Sequence, residues 1–312
     1  MAGLTVTAPK GLRSSVSLGG GGGGSGNSTP FGRTPTFLRH LDEEEHKTVQ
    51  QLVKGVVQVF NNSVAHDWVS PWSKSPPSSS SGTGFIISVK KRLIITNAHC
   101  TTDAMTLQVR KDGDFDKVEA RVLATSHESD LSIITVDESK FWEGAIELPL
   151  GHTPRLQQAV DVIGFPKGGD GISVTSGVVS RVDWGVYTHG HSCNLVVTVD
   201  AAINSGNSGG PAVSDGLVVG VAFQSLTGGD NIGFIIPAAV LRSVLQDFEA
   251  TSPSGAPLAG FGHLECDVST LENPAKRKWL GLPEGASGVQ VGKIKELSKL
   301  KGVLVEGDVL TS

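Results

Sequence analysis

The chain has 312 residues, 38% hydrophobic and 18% charged, with 40 glycines and a net charge of −5. That length suggests about two domains; the negative balance gives no electrostatic reason to bind nucleic acid, and no run of about 18 apolar residues is present to write a membrane-spanning helix. The three cysteines, Cys100, Cys193 and Cys266, are far apart and show no CxxC spacing, which argues against a disulfide scaffold and fits a reducing compartment.

Residues 1–41 contain no Asp or Glu but carry Lys10, Arg13, Arg33 and Arg39 amid Ser, Thr and Gly. Such a composition reads as an organellar transit peptide, the other reading being a disordered tail that addresses nothing. Between Asp42 and Phe60, "DEEEHKTVQQLVKGVVQVF" begins with an acidic first turn and predicts a short helix passing into a strand. Residues 66–83 read as a Pro/Ser loop. Short Val/Ile-rich runs follow, among them "GFIISV", "RLIITN", "LSIITVD", "AVDVIGF", "NLVVTVD" and "GLVVGVAF", parted by Gly, Asp, Ser and Pro. Close spacing without room for helical crossovers predicts an all-β barrel or sandwich. "PAAVLRSVLQDFEA", 237–250, is patterned as a helix with Pro at its start. It closes a β unit over 42–250. "TSPSGAP", 251–257, reads as a linker to a second unit over 258–312, which is small for a core of its own.

Three stretches carry chemistry. In "IITNAHC", His99 follows an apolar strand; in "HESDLSIITVD", Asp130 precedes one; in "AAINSGNSGGPAV", Ser208 lies in a glycine-rich turn. A serine hydroxyl is a poor nucleophile until a base takes its proton, and histidine is suited to that near neutral pH. The imidazole in turn needs a carboxylate to set its tautomer and stabilise its charged form. Glycines around Ser208 let backbone N–H groups of Gly206, Asn207 and Ser208 form an oxyanion hole, Gly206 and Ser208 being the donors expected to face it. The turn is not a phosphate-binding loop, because no Gly-Lys-Ser/Thr follows.

The order His99, Asp130, Ser208, within "TNAH", "DLSIITV" and "GNSGGP", resembles the chymotrypsin-like fold and specifically the Deg/HtrA family. "DAAINSGNSGGP", "GGDGISVTSGVVSRV" and "NIGFIIP" are similar to its plant and algal branch; "TNAHC", "LGHTPRLQ" and "LENPAKRKWL" resemble the chloroplast stromal member. The resemblance runs from about residue 48 to the last residue. It implies a mainly β protein, with two six-stranded antiparallel β-barrels followed by a partial PDZ domain. It also implies an ATP-independent serine endopeptidase of protein quality control that cuts unfolded or damaged polypeptides. Assembly as a homo-trimer or higher oligomer goes with it, as does a place in the chloroplast stroma, with peripheral attachment to the thylakoid membrane at most. A mitochondrial address would have a similar leader. A holdase-like chaperone that binds unfolded chains with little proteolysis is the competing reading, and a PDZ-type scaffold a third.

The family's alignment puts Ile203, Phe223 and Leu226 around the pocket for the residue before the cut, and the main chain of Phe223, Gln224 and Ser225 beside an extended substrate. A packing role for Phe223 stays open. Asn207 stands where trypsin-type zymogens carry an Asp that pairs with a new N-terminus, so switching is expected from loop ordering, in 166–173 and 225–231, rather than from propeptide cleavage. Phe261, Gly262, His263 and Leu264 fall where a PDZ domain receives a C-terminal carboxylate. The family continues past "EGDVLTS" with the groove-lining helix, so weak or absent C-terminal peptide binding is expected. "HGHSC", 189–193, offers His189, His191 and Cys193, but lacks the further ligand of a zinc site and reads as a hairpin edge. No metal or cofactor is expected.

Overall fold

The computed structural model describes residues 49–167, 171–225, 232–262 and 264–311, Gln224 and Ser225 by backbone alone. The expected leader, 1–41, lies outside the described residues. The predicted passage from helix to strand is seen as helical residues 49–53 followed by β1 (Val56–Ser63).

Two curled sheets follow. The first comprises β1, β2 (Ser78–Ser88), β3 (Leu93–Thr96), β4 (Ala104–Lys111), β5 (Val118–Glu119), β6 (Arg121–Ser126) and β7 (Leu131–Thr135), in the order β5-β4-β1-β2-β3-β7-β6. Seven strands stand where six were expected, because one run is counted twice. β5 and β6 are parted only by Ala120, yet β5 pairs with β4 and β6 with β7, at opposite ends of the sheet. The run 118–126 therefore bends at buried Ala120 and brings the two ends of the sheet round to meet. The second sheet closes fully, as β10-β13-β12-β11-β8-β9. Its strands are β8 (Ala159–Gly164), β9 (Ser173–Val186), β10 (Cys193–Val199), β11 (Pro211–Ser214), β12 (Leu217–Ser225) and β13 (Gly233–Pro237).

Side-chain alternation explains why the strands read as unbroken apolar runs. On β3, Ile94 enters a cluster inside the first barrel with Val57, Ile86, Leu107 and Ile134, whereas Leu93 and Ile95 enter a cluster between the barrels. On β8, β11 and β13, Val162, Ala212 and Ile235 fill the second barrel while Ile163, Val213 and Ile236 face the shared core. Successive residues point to opposite faces, and both faces are buried. The barrels thus share one interface.

Residues 78–83 depart from the loop predicted over 66–83. They are strand because Ser78–Thr83 pair with Ser63–Gln58 of β1, and a ladder partner supplies what serine-rich sequence lacks. After β13, α1 (Ala238–Thr251) lays Val240, Leu241 and Val244 on the shared core. A separate three-stranded, PDZ-like sheet follows: β14 (Cys266–Thr270), β15 (Gly288–Ile294) and β16 (Val309–Thr311), in that order. Between β14 and β15 runs α2 (Pro274–Trp279), capped by Asn273, whose side chain accepts from the N–H of Ala275 and Lys276.

Candidate active site

β3 and β7 are antiparallel neighbours, with Thr96 opposite Ser132. The 3₁₀ turn after β3, Ala98–Cys100, therefore meets the residue just before β7. That register brings His99 to Asp130 across 31 residues of chain: His99 Nδ1 lies 2.7 Å from Asp130 Oδ2. The carboxylate is almost fully buried, and its other oxygen accepts the His99 backbone N–H at 3.0 Å. Its main-chain carbonyl accepts from Ala98 N–H at 3.1 Å and from Asn97 Nδ2 at 2.9 Å. Asp130 has φ of +49°, a left-handed conformation that Asp tolerates better than most residues and that aims the side chain back at the histidine.

This setting changes the imidazole. Burial favours its neutral form, but the hydrogen bonds from Asp130 and the Cys100 side chain, together with their charges, outweigh burial and raise His99 from 6.5 to about 10. Tyr187, fully buried beside this pair, is pushed up by burial first and by the Asp130 charge second. Its hydroxyl donates to Leu195 O.

The serine turn belongs to the second barrel and depends on glycine at two points. Gly206 (φ +104°) leaves no room for a Cβ, which would come 2.4 Å from Phe165 O; at Gly209 (φ +86°) a Cβ would come 2.1 Å from Thr83 O. Asn207 N–H donates to Asn204 O at 3.0 Å and is engaged within the turn, whereas the N–H groups of Gly206 and Ser208 donate to none of the described residues. These two amides are the oxyanion-type donors the turn offers. The Asn207 side chain is buried, and its Oδ1 has no partner among the described residues.

Thr83 ties the two barrels together here, a role that sequence reasoning missed. Its hydroxyl donates to Gly206 O at 2.7 Å and accepts from Phe165 N–H at 2.9 Å. Its own N–H donates to Ser208 O at 2.8 Å, and its carbonyl accepts from Thr96 Oγ1 at 2.7 Å. The available signal was a threonine between two glycines, in "GTG" at the head of an apolar run.

Ser208 Oγ makes its hydrogen bond to Phe223 O, at 3.4 Å, and not to His99. The exposed ring of His189, from the turn joining β9 and β10, stacks on the His99 ring with centroids 3.9 Å apart and planes 17° apart. His99 and Asp130 are therefore joined, and Ser208 is hydrogen-bonded elsewhere.

Of the pocket candidates, Ile203 and Phe223 are both buried, Phe223 with its ring 4.7 Å from that of Tyr187. The backbone of Gln224 and Ser225 pairs with Phe234 and Gly233 of β13, while β11 on the other side ends at Pro211, opposite Val221. Leu226 lies outside the described residues, as do 168–170 and 226–231 of the two loops expected to order. Near the third sheet, Phe261 N–H donates to Glu128 Oε2 at 3.3 Å and Gly260 N–H to Asp247 Oδ2 at 2.9 Å. Gly262 and Leu264 help line a cavity of about 190 Å³ with Phe261, Glu128 and Trp184; His263 lies outside the described residues.

Known proteins are similar to this chain. Residues 82–221 match the trypsin-like peptidase domain. The chain is 41% identical over 258 residues to the mitochondrial Do-like 4 protease of Arabidopsis thaliana, covering 83% of the chain and 49% of that protein. It is 40% identical over 195 residues to the sequence named Do-like protease 6, chloroplastic, of the same plant, covering 58% of the chain and 88% of the relative. Among solved structures, the HtrA-type protease AlgW with tripeptide superposes with a TM-score of 0.66 at 25% identity, covering 85% of the chain and 81% of AlgW. The chain spans about half the length of the longer curated relatives it matches. By sequence and fold together, the chain belongs to the Do-like (Deg/HtrA) family of trypsin-like serine proteases.

Proposed function

We propose that this protein is a serine endopeptidase that hydrolyses unfolded or damaged polypeptides through an acyl-enzyme, without ATP. The observation that carries the reading is the part-buried His99–Asp130 pair at 2.7 Å together with a serine turn whose Gly206 and Ser208 amides are unengaged by described residues. In the reaction, Ser208 Oγ leaves Phe223 O, passes its proton to Nε2 of the neutral form of His99, whose share grows as pH rises toward about 10, and attacks the scissile carbonyl. Asp130 holds the Nδ1 proton and stabilises the imidazolium; the two amides receive the oxyanion. His99 then gives the proton to the leaving amine, and water repeats the cycle on the ester.

In this reading residues 42–250 are the protease domain, joined by 251–257 to the PDZ-like unit over 258–312. Ile203, Phe223 and Leu226 bound an apolar site for the side chain before the cut. Gln224 and Ser225 offer main-chain groups to an extended substrate, on the side β11 leaves uncovered. Phe261, Gly262, His263 and Leu264 stand where a PDZ domain receives a C-terminal carboxylate, with weak or absent peptide binding by this chain, which works as a homo-trimer or higher oligomer. We place it in an organelle, the chloroplast stroma ahead of the mitochondrion, since relatives named for each compartment are similar to it.

One observation favours a second reading, a holdase with little turnover: Ser208 rests on Phe223 O while His189 covers His99. A fluorophosphonate probe separates the two, because it labels only an activated serine. Labelling at Ser208, together with casein cleavage that Ser208→Ala abolishes, supports the protease. Casein binding without labelling supports the holdase.

A further inference from the structure

The histidines of "HGHSC" do not build a site with their own cysteine. Among the described residues, His99, Asp130 and His189 form the one group of His, Cys, Asp and Glu side chains that could share an ion, one ligand atom of each lying within 4.8 Å of the others. The turn that carries His189 is well anchored. His191 N–H donates to Tyr187 O at 2.8 Å, Tyr187 N–H to Ser192 O at 2.9 Å, and Gly190 sits so close to His127 O that a Cβ would be 2.1 Å from it. The backbone thus holds His189 over His99, while the exposed ring remains able to turn.

We propose that His99 and His189 together form a binding site for a divalent transition-metal ion of the zinc class, and that the ion reversibly blocks the active site. Asp130 occupies Nδ1 of His99 and leaves Nε2 as the ligand nitrogen. A carboxylate behind a metal-bound imidazole is the usual partner that fixes its tautomer and strengthens its donation. Two imidazoles completed by water suit zinc, with Zn–N bonds of about 2.0–2.1 Å. Ligand nitrogens on a tetrahedral ion stand about 3.4 Å apart at that bond length. His189 must therefore leave the stacked arrangement and turn its ring nitrogen toward the ion, a rotamer change available to an exposed side chain. Once bound, the metal holds the lone pair that would take the Ser208 proton. No bond to substrate forms or breaks, and removal of the ion restores the base.

The inhibitory consequence rests on His99 being the base; the binding itself does not. The test is calorimetric titration of zinc chloride into the full chain, alongside His189→Ala, Asp130→Asn and Cys193→Ala, with Co²⁺ absorption as a second readout of tetrahedral nitrogen ligation. The expected result is loss of one zinc equivalent in His189→Ala, a drop of about 10–100-fold in affinity in Asp130→Asn, and no change in Cys193→Ala. In the hydrolysis assay, zinc should inhibit the native chain, EDTA should reverse it, and His189→Ala should need at least about ten times more zinc. Equal stoichiometry and affinity in the native chain and His189→Ala would overturn the site. So would loss of the zinc equivalent in Cys193→Ala. If no substrate is cleaved at all, the proposed function fails while calorimetry still decides the metal site.

Discussion

The two barrels carry the two halves of the proposed catalytic apparatus, and they hold them differently. In the first, His99 and Asp130 sit at the ends of paired, fully buried strands, tied by four hydrogen bonds within the same barrel. In the second, Ser208 sits in a turn whose shape depends on two glycines and on Thr83, a residue of the other barrel. Strand pairing sets the acid–base half locally, whereas the nucleophile half is set by how the barrels meet. This explains why His99 and Asp130 are already joined while Ser208 is bonded elsewhere.

The largest test of that contrast is Ser208→Ala, which should lower turnover by about 10⁶-fold and leave the melting temperature unchanged. A large stability loss would show the serine itself to be part of the inter-barrel joint. Next in size, Asp130→Asn should cost about 10⁴-fold in turnover through the wrong imidazole tautomer. The His99 titration, followed by NMR, should start near 10 and fall toward 6.5 in that variant. The sign for stability follows from the same shift. A raised His99 stabilises the fold fully below about pH 6.5, and that contribution is lost as pH rises through about 10. Stability of the native chain relative to Asp130→Asn should therefore shrink across that window.

Thr83→Val probes the joint directly. It leaves Gly206 O and Phe165 N–H without their partner, which should cost about 1–3 kcal/mol. Turnover should fall by about 10²–10³-fold as the oxyanion donors lose their setting. Thr83→Ser should restore both, and an unchanged rate in Thr83→Val would show that the turn holds its geometry without the other barrel. The smallest effect is expected at Glu128→Gln, which weakens the charge-assisted bond to Phe261 N–H, in the segment before the third sheet. Stability should change by no more than about 0.5 kcal/mol, while amide exchange at Phe261 becomes faster.

Much of this was legible in the residues. Most strands matched a predicted apolar run, because interior strands buried on both faces carry Val and Ile at consecutive positions. α1 showed itself by helical spacing of its buried residues. β11 was hidden, since its "PAVS" was absorbed into the glycine-rich turn before it. The serine half of β2 was hidden because Ser78–Ser81 become strand only through their ladder to β1. Of the site, the types and order of His99, Asp130 and Ser208 were plain, since each chemistry demands its residue type. Thr83 and His189 were not, because nothing in a threonine between glycines or in a histidine-rich turn names a partner many residues away.

The amino-acid sequence by itself determined the strands, the chain order of the triad candidates and the glycines that make the serine turn possible, since all depend on local preference and side-chain chemistry. The tertiary structure alone decided that Ala120 bends one run into two strands and that Asn207 keeps its amide within the turn. It alone also decided that Thr83 joins the barrels and that His189 lies over His99. Each is set by packing between segments distant in sequence, where contact geometry, and not residue type, chooses the partner.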